Sequence, residues 1–331
     1  MNKRLIAFLS ITSLALSLPI IPVNAVWRGT PNLANKRVVP IFNQQISARC
    51  GSAFLYAPRI VFTAGHSMFN VDDRKEKHVT PIANAWVGFP NSTVSPQSKR
   101  VKSQKIFIAP GYKSRDFRLG GSTITRENDF AIVVLESPLP IDDKKVELFT
   151  PELHEQYINS GEDVDYSGYG RQTPEEMRTQ ATCNSFSSFS SKVTSKVVNT
   201  GGFRWTATFN TKVGVGMPNM CDSDSGGGFS KIMADKYIYL GAAGAGSWDN
   251  HNCASWEPDL SKETINGADP VYLYKELVAE AEKYVSDNPY IEPKSTSSSS
   301  NKKSTITCYK DKTSKKVTGV NPKCPVGYKK K

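Results

Sequence analysis

The chain has 331 residues, with 42 Lys and Arg against 31 Asp and Glu, a formal net charge of +11. A mature length near 300 residues fits one two-layered domain or a pair of small barrels. The charge is uneven: residues 293–331 hold eleven Lys and one Asp, Lys3 and Arg4 add two, and the residues between sum to −1. That distribution excludes a basic body, and no segment after the first 25 residues is apolar enough to span a membrane.

Residues 1–25 read as an export signal. Lys3 and Arg4 form a positive start, Leu5 to Leu18 is apolar or small, and Pro19 and Pro22 break it. Val23-Asn24-Ala25 supplies small residues for cleavage. The apolar stretch falls short of the roughly 20 residues a span requires. These features predict a soluble, secreted protein starting at Val26.

Short β-rich runs follow at Gly51–Leu55, Arg59–Phe62, Ala85–Phe89, Lys105–Ile108, Ala131–Leu135, Val164–Ser167, Arg204–Phe209 and Tyr237–Ala242. Gly, Pro, Asn and Ser separate them, which is an all-β pattern. Helix signals are few before Tyr272. A helix-forming run extends from Tyr274 to Val285. From Pro293 the composition changes. Residues 291–305 read as a flexible Ser-rich linker. Residues 306–331 read as a Lys-rich β-hairpin with a cationic face, closed by Cys308 and Cys324, since a hairpin that small needs a staple.

Cys221-Asp222-Ser223-Asp224-Ser225-Gly226-Gly227-Gly228 carries the chemistry. Small residues and glycines let the backbone turn sharply and present a hydroxyl beside bare N–H groups. A serine hydroxyl needs a base, and the base needs an orienting group. His66, in Thr63-Ala64-Gly65-His66, supplies the first. Asp129, in Asn128-Asp129-Phe130-Ala131, supplies the second and leads into an apolar strand that would bury it. Asp72 and Asp73 lie in a charged loop and compete less well. His78, His154 and His251 show no metal-ligand spacing, and no phosphate-cradling loop is present. No metal and no organic cofactor is expected.

The order His, Asp, Ser, and these motifs, resemble the trypsin/chymotrypsin family of serine endopeptidases. Thr63–His66 is similar to its Thr-Ala-Ala-His, Asn128–Ala131 to its Asp-Ile-Ala segment, and Asp222–Gly227 to its Gly-Asp-Ser-Gly-Gly. Cys50–Leu55, Gly168-Tyr169-Gly170 and Pro270-Val271-Tyr272 match further segments, so the resemblance spans 26 to about 287. It implies two six-stranded antiparallel β-barrels of the chymotrypsin type with a C-terminal helix. The protease domain would cover 26–290, with the barrel boundary near 138–162. Lys113–Glu127 and Ala254–Ala268 look like insertions in surface loops. The Lys-rich tail resembles a small C-terminal motif of secreted actinobacterial proteins.

The resemblance also assigns roles. His66 is base and then acid, Asp129 holds its tautomer, and Ser225 attacks the carbonyl. The N–H groups of Ser223 and Ser225 form the oxyanion hole, although Ser223 stands where the family has glycine. Asn219 lies at the base of the specificity pocket. Gly244-Ala245-Gly246 replaces the Ser-Trp-Gly strand that pairs with substrate, and Asp269 lies near another pocket wall. The freed amino group of Val26 would pair with Asp224. Cys221 and Cys253 match a family disulfide. Cys50 and Cys183 remain as a pair or as free thiols, because Ser67 occupies the position of Cys50's usual partner. The expected protein is a monomeric, secreted endopeptidase acting on proteins or peptides, its tail reaching an anionic cell-wall or envelope polymer rather than nucleic acid. The alternative is a catalytically impaired homologue that binds cell surfaces.

Overall fold

Val38-Val39-Pro40-Ile41-Phe42 is buried at every position, as is Ala131–Leu135. Such runs lack polar alternation because both faces of the strand are covered. In the computed structural model the two faces enter different cores. Ala131, Val133 and Leu135 join Val39, Ile41, Ala53, Leu55 and Val61 inside the first barrel. Phe130, Ile132 and Val134 point outward, into a second cluster with Phe54, Phe62, Tyr166, Phe229 and Tyr239. The structure describes residues 29–32, 34–43, 50–72, 77–90, 99–117, 123–170, 191–198, 209–214, 220, 224–246, 264–293 and 303–330.

Six strands close the first barrel: β1 (Val38–Phe42), β2 (Cys50–Ala57), β3 (Ile60–Thr63), β4 (Trp86–Gly88), β5 (Arg100–Ile108) and β6 (Ala131–Leu135). Their order around it is β6-β3-β2-β1-β4-β5. The second ring comprises β7 (Asp163–Gly168), β8 (Ser191–Val198), β9 (Phe209–Val213), β10 (Gly228–Ile232), β11 (Lys236–Gly246) and β12 (Thr264–Ala268). It runs β8-β7-β10-β11-β12-β9 and closes where Lys196, Val197 and Val198 meet Lys212, Thr211 and Asn210. Aromatic rings seal the two together: Tyr239 of β11 lies 4.5 Å from Phe54 of β2 and 5.2 Å from Phe62 of β3.

Among the described residues, two helices flank the barrels. Helix α1 (Pro151–Ser160) falls within the expected barrel boundary, a stretch read from sequence without a helix. Its signals are local: the Thr150 hydroxyl accepts from Leu153 N–H, Pro151 opens the first turn, and Gly161 ends the helix at φ 61°. Helix α2 (Lys275–Asp287) follows a helical turn at Val271–Tyr274 and buries Leu277, Val278 and Ala281. Arg59 Nη1 donates to the Asn288 carbonyl at 2.7 Å, and Tyr56 Oη donates to Glu282 at 2.7 Å, tying α2 to barrel one.

Within the stretch Lys113–Glu127, Lys113–Phe117 pairs antiparallel with Thr123–Glu127. His154 is buried on α1, and its Nδ1 lies 2.9 Å from Tyr272 Oη; burial lowers its pKa. It packs against Phe149 and serves the core.

The described residues divide into two compact units, one ending at Pro289 and the next starting at Tyr290. The second unit is a three-stranded sheet in the order β14-β13-β15: β13 (Ser304–Lys310), β14 (Thr313–Gly319) and β15 (Lys329–Lys330). A disulfide joins Cys308 to Cys324. The expected two-stranded hairpin therefore gains an edge strand and begins at Ser304.

Candidate active site

His66 stands in the helical turn Gly65–Met68 that leaves β3, and Asp129 stands just before β6. β3 and β6 are antiparallel neighbours, with Thr63 opposite Ala131, so the pairing brings the two residues to one end of barrel one. Both carboxylate oxygens of Asp129 face His66. Oδ1 accepts the His66 backbone N–H at 2.7 Å, and Oδ2 lies 2.8 Å from the ring Nδ1. The side chains are 11% and 7% exposed, so little water competes for this contact.

Ser225 arrives from the second ring. Its carbonyl accepts the Ser52 N–H at 2.9 Å, which fastens it to β2 of the first barrel. The next residue is fastened to the second: Gly226 N–H donates to Ala243 O, and Ala243 N–H donates to Gly227 O, each at 2.9 Å. The Asp224 carbonyl accepts from Gly227 N–H and from the Tyr166 hydroxyl. The turn is thus held from both barrels at once.

Two glycines permit this closeness. Gly226 has φ +84°, a left-handed conformation that a side chain resists. A Cβ there would overlap Thr63 Oγ1 and the Ser52 carbonyl, and would stand 2.9 Å from Ala64 N. At Gly244 a Cβ would stand 2.5 Å from Asp129 Oδ2. Gly244 of β11 therefore lies directly against the carboxylate, and both the His66–Asp129 pair and the turn that carries Ser225 lie at the seam between the rings.

Asp269 is placed differently from its expected pocket-wall position. It is 9% exposed, and its Oδ2 accepts the Asp129 backbone N–H at 3.0 Å and the Tyr274 hydroxyl at 2.6 Å. The Tyr274 ring stacks on Phe130, centroids 4.6 Å apart. Asp269 and Tyr274 thus brace the backbone that carries Asp129, a link the sequence reading missed. Its signal was an Asp and a Tyr flanking the helical turn before α2. Burial is the largest cause raising the Asp269 pKa, and the Asp129 charge adds to it, against the two hydrogen bonds. The raised value means that ionising Asp269 costs folded-state stability. Its contribution is full below the ordinary Asp value near ~4 and declines as pH rises through the folded value. Asp269→Asn is therefore expected to lose less stability than the parent between acid and neutral pH, read from paired melting temperatures. Parallel curves would contradict this.

Asp224 is completely buried, and its Oδ1 accepts Gly170 N–H at 2.7 Å. Gly246 ends β11, where it pairs with Asn266. Val26, Cys183, Asn219, Cys221, Ser223 and Cys253 lie outside the described residues, as does the side chain of Cys50.

Comparison with curated proteins finds no match. The sequence model of the family described as Trypsin matches residues 28–265, well over half of the chain. With a closed six-stranded barrel, a second ring and a helix after them, and with His66, Asp129 and Ser225 at the seam, the chain belongs to the trypsin family.

Proposed function

We propose that the protein is a secreted serine endopeptidase that cleaves peptide bonds through an acyl-enzyme at Ser225. Membership of the trypsin family carries the coarser statement, a serine protease-type function. The observation that carries the finer one is the double contact of Asp129 with His66, through ring Nδ1 and backbone N–H. An ionised Asp129 keeps the Nδ1 proton in place and leaves Nε2 basic. Nε2 then takes the Ser225 proton as Oγ attacks the carbonyl. The oxyanion forms against the N–H groups of Ser223 and Ser225. His66 protonates the leaving amine, and water hydrolyses the ester by the same base.

Substrate backbone would align along Gly244–Gly246, which continue β11 directly past Ala243, the residue bonded to Gly226 and Gly227. Asn219 would form the pocket base. The impaired-homologue alternative rests on Ser223 alone.

Activation would follow removal of residues 1–25. The new α-amino group of Val26 would pair with the buried Asp224 carboxylate, one residue before Ser225. Such a pair is costly to break, roughly 3–5 kcal/mol, and would order the oxyanion turn. Intact-mass analysis of the exported protein should give a start at Val26. A start several residues away would discard this route.

Labelling of the exported protein by a fluorophosphonate tests the reading as a whole. The expected result is one adduct at Ser225, absent from Ser225→Ala. Correctly processed, folded protein that takes no label would overturn it and leave a binding role.

A further inference from the structure

The sheet of the second unit has two unlike faces. In a β-sheet, cross-strand partners share a face and successive residues alternate. Ile306 pairs with Val317, and Cys308 pairs with Lys315 and Lys330. That face is covered only at its centre: Cys308 is fully buried in its bond to Cys324 and Ile306 and Val317 are half-buried, while Lys310, Lys315 and Lys330 at its margins stay exposed. The opposite face carries Thr305 with Thr318, Thr307 with Lys316, and Tyr309 with both Ser314 and Lys329. The hydroxyls of Thr305 and Thr318 lie 2.6 Å apart, and Tyr309 is 43% exposed.

This open face is made of hydroxyls, one aromatic ring and two ammonium groups, with no aliphatic side chain among the paired residues. Lys329 stands beside Tyr309 on the edge strand, and Lys316 stands two strands away and one pair along. From strand spacing and rise, their backbones are about 12 Å apart. The unit is strongly cationic: residues 303–330 hold eight Lys and one Asp, with no Arg. Lys acts as a point charge, whereas Arg adds a planar fork that reads bases and bidentate groups.

We infer that this face binds a linear polymer of polyol or sugar units joined by phosphodiesters. The charge is complementary, the hydroxyls match a polyhydroxylated backbone, and the tyrosine ring offers a flat surface to the C–H face of a unit between two phosphates. A nucleic-acid site would stack successive bases on several aromatic rings. A membrane-inserting face would carry apolar residues. Neither feature is present on the paired residues of this face.

The test uses the full mature protein and immobilised poly(glycerol phosphate), with dextran, phosphatidylglycerol vesicles and single-stranded DNA as comparison probes. Binding should be tightest to poly(glycerol phosphate) and should weaken as salt rises, since exposed charges are screened beyond about 8 Å at physiological ionic strength. Lys316→Ser with Lys329→Ser should weaken it about tenfold. Lys312→Ser with Lys323→Ser removes equal charge outside the face and should change it less than about twofold. Tyr309→Ala should also weaken it, with the Cys308–Cys324 bond intact by mass. Equal losses from the two lysine pairs, an unchanged Tyr309→Ala, or tighter binding to DNA or vesicles would each overturn the inference.

Discussion

Asp129→Asn is expected to lower kcat by about 10,000-fold while leaving the fold in place. The geometry gives the reason. Asp129 accepts two N–H groups of His66, one from the backbone at 2.7 Å and one at ring Nδ1 at 2.8 Å. The backbone group can only donate, so an Asn side chain must turn its carbonyl oxygen toward it. Its NH2 then faces Nδ1, and the ring responds by moving its proton to Nε2. That nitrogen is the one that must accept the Ser225 proton. Steady-state kinetics on a peptide substrate, with the melting temperature as a folding check, reads the effect. A loss below about tenfold, in a variant that folds, would mean that His66 is oriented by something other than Asp129.

Gly226→Ala is expected to reduce kcat/KM at least about 30-fold, by displacing Ser225 rather than removing a reacting group. Two costs add. Holding alanine at φ +84° costs about 1–3 kcal/mol. The new methyl also overlaps the Ser52 carbonyl and Thr63 Oγ1 and crowds Ala64 N. Overpacking of that kind costs roughly another 1–3 kcal/mol. Ser52 and Ala64 present backbone atoms on the strand that donates to Ser225 and at the turn that carries His66, so relief requires the turn to shift. At about 1.4 kcal/mol per tenfold, even the lower end of this sum reaches well past tenfold. Gly161→Ala separates the two costs. Gly161 also has positive φ, +61°, but a Cβ there meets nothing within 4 Å. It should cost stability alone, with kcat/KM unchanged. Equal effects of the two substitutions on activity would show that strain, and not the contact with barrel one, sets the Ser225 geometry.

The apolar runs, the motif around Ser225 and the order of His66, Asp129 and Ser225 were legible because they depend on neighbours in sequence. Ala131–Leu135 reads as strand from its β-branched content alone. Strands such as Ser191–Val198 and Gly228–Ile232 are not legible: Ser, Thr and Lys interspersed with Val, or a leading glycine, give a weak pattern, and pairing partners decide their state. Helix α1 was missed although its cap, Thr150-Pro151, is local, because ten polar-rich residues between strand signals read as a connection.

The family, the all-β character and the three candidate residues are properties of short motifs and side-chain period, and the chain alone carries them. What surrounds them depends on packing. Asp269 reads as a pocket charge until β12 and α2 place it under the Asp129 backbone with Tyr274. Gly226 reads as one glycine of three until its φ and its contact with Ser52 single it out. The faces of the Lys-rich sheet follow from register and from the disulfide that buries the centre of one of them. Contacts between residues a hundred or more positions apart are set by packing two barrels against each other, and no local pattern encodes which atoms then meet.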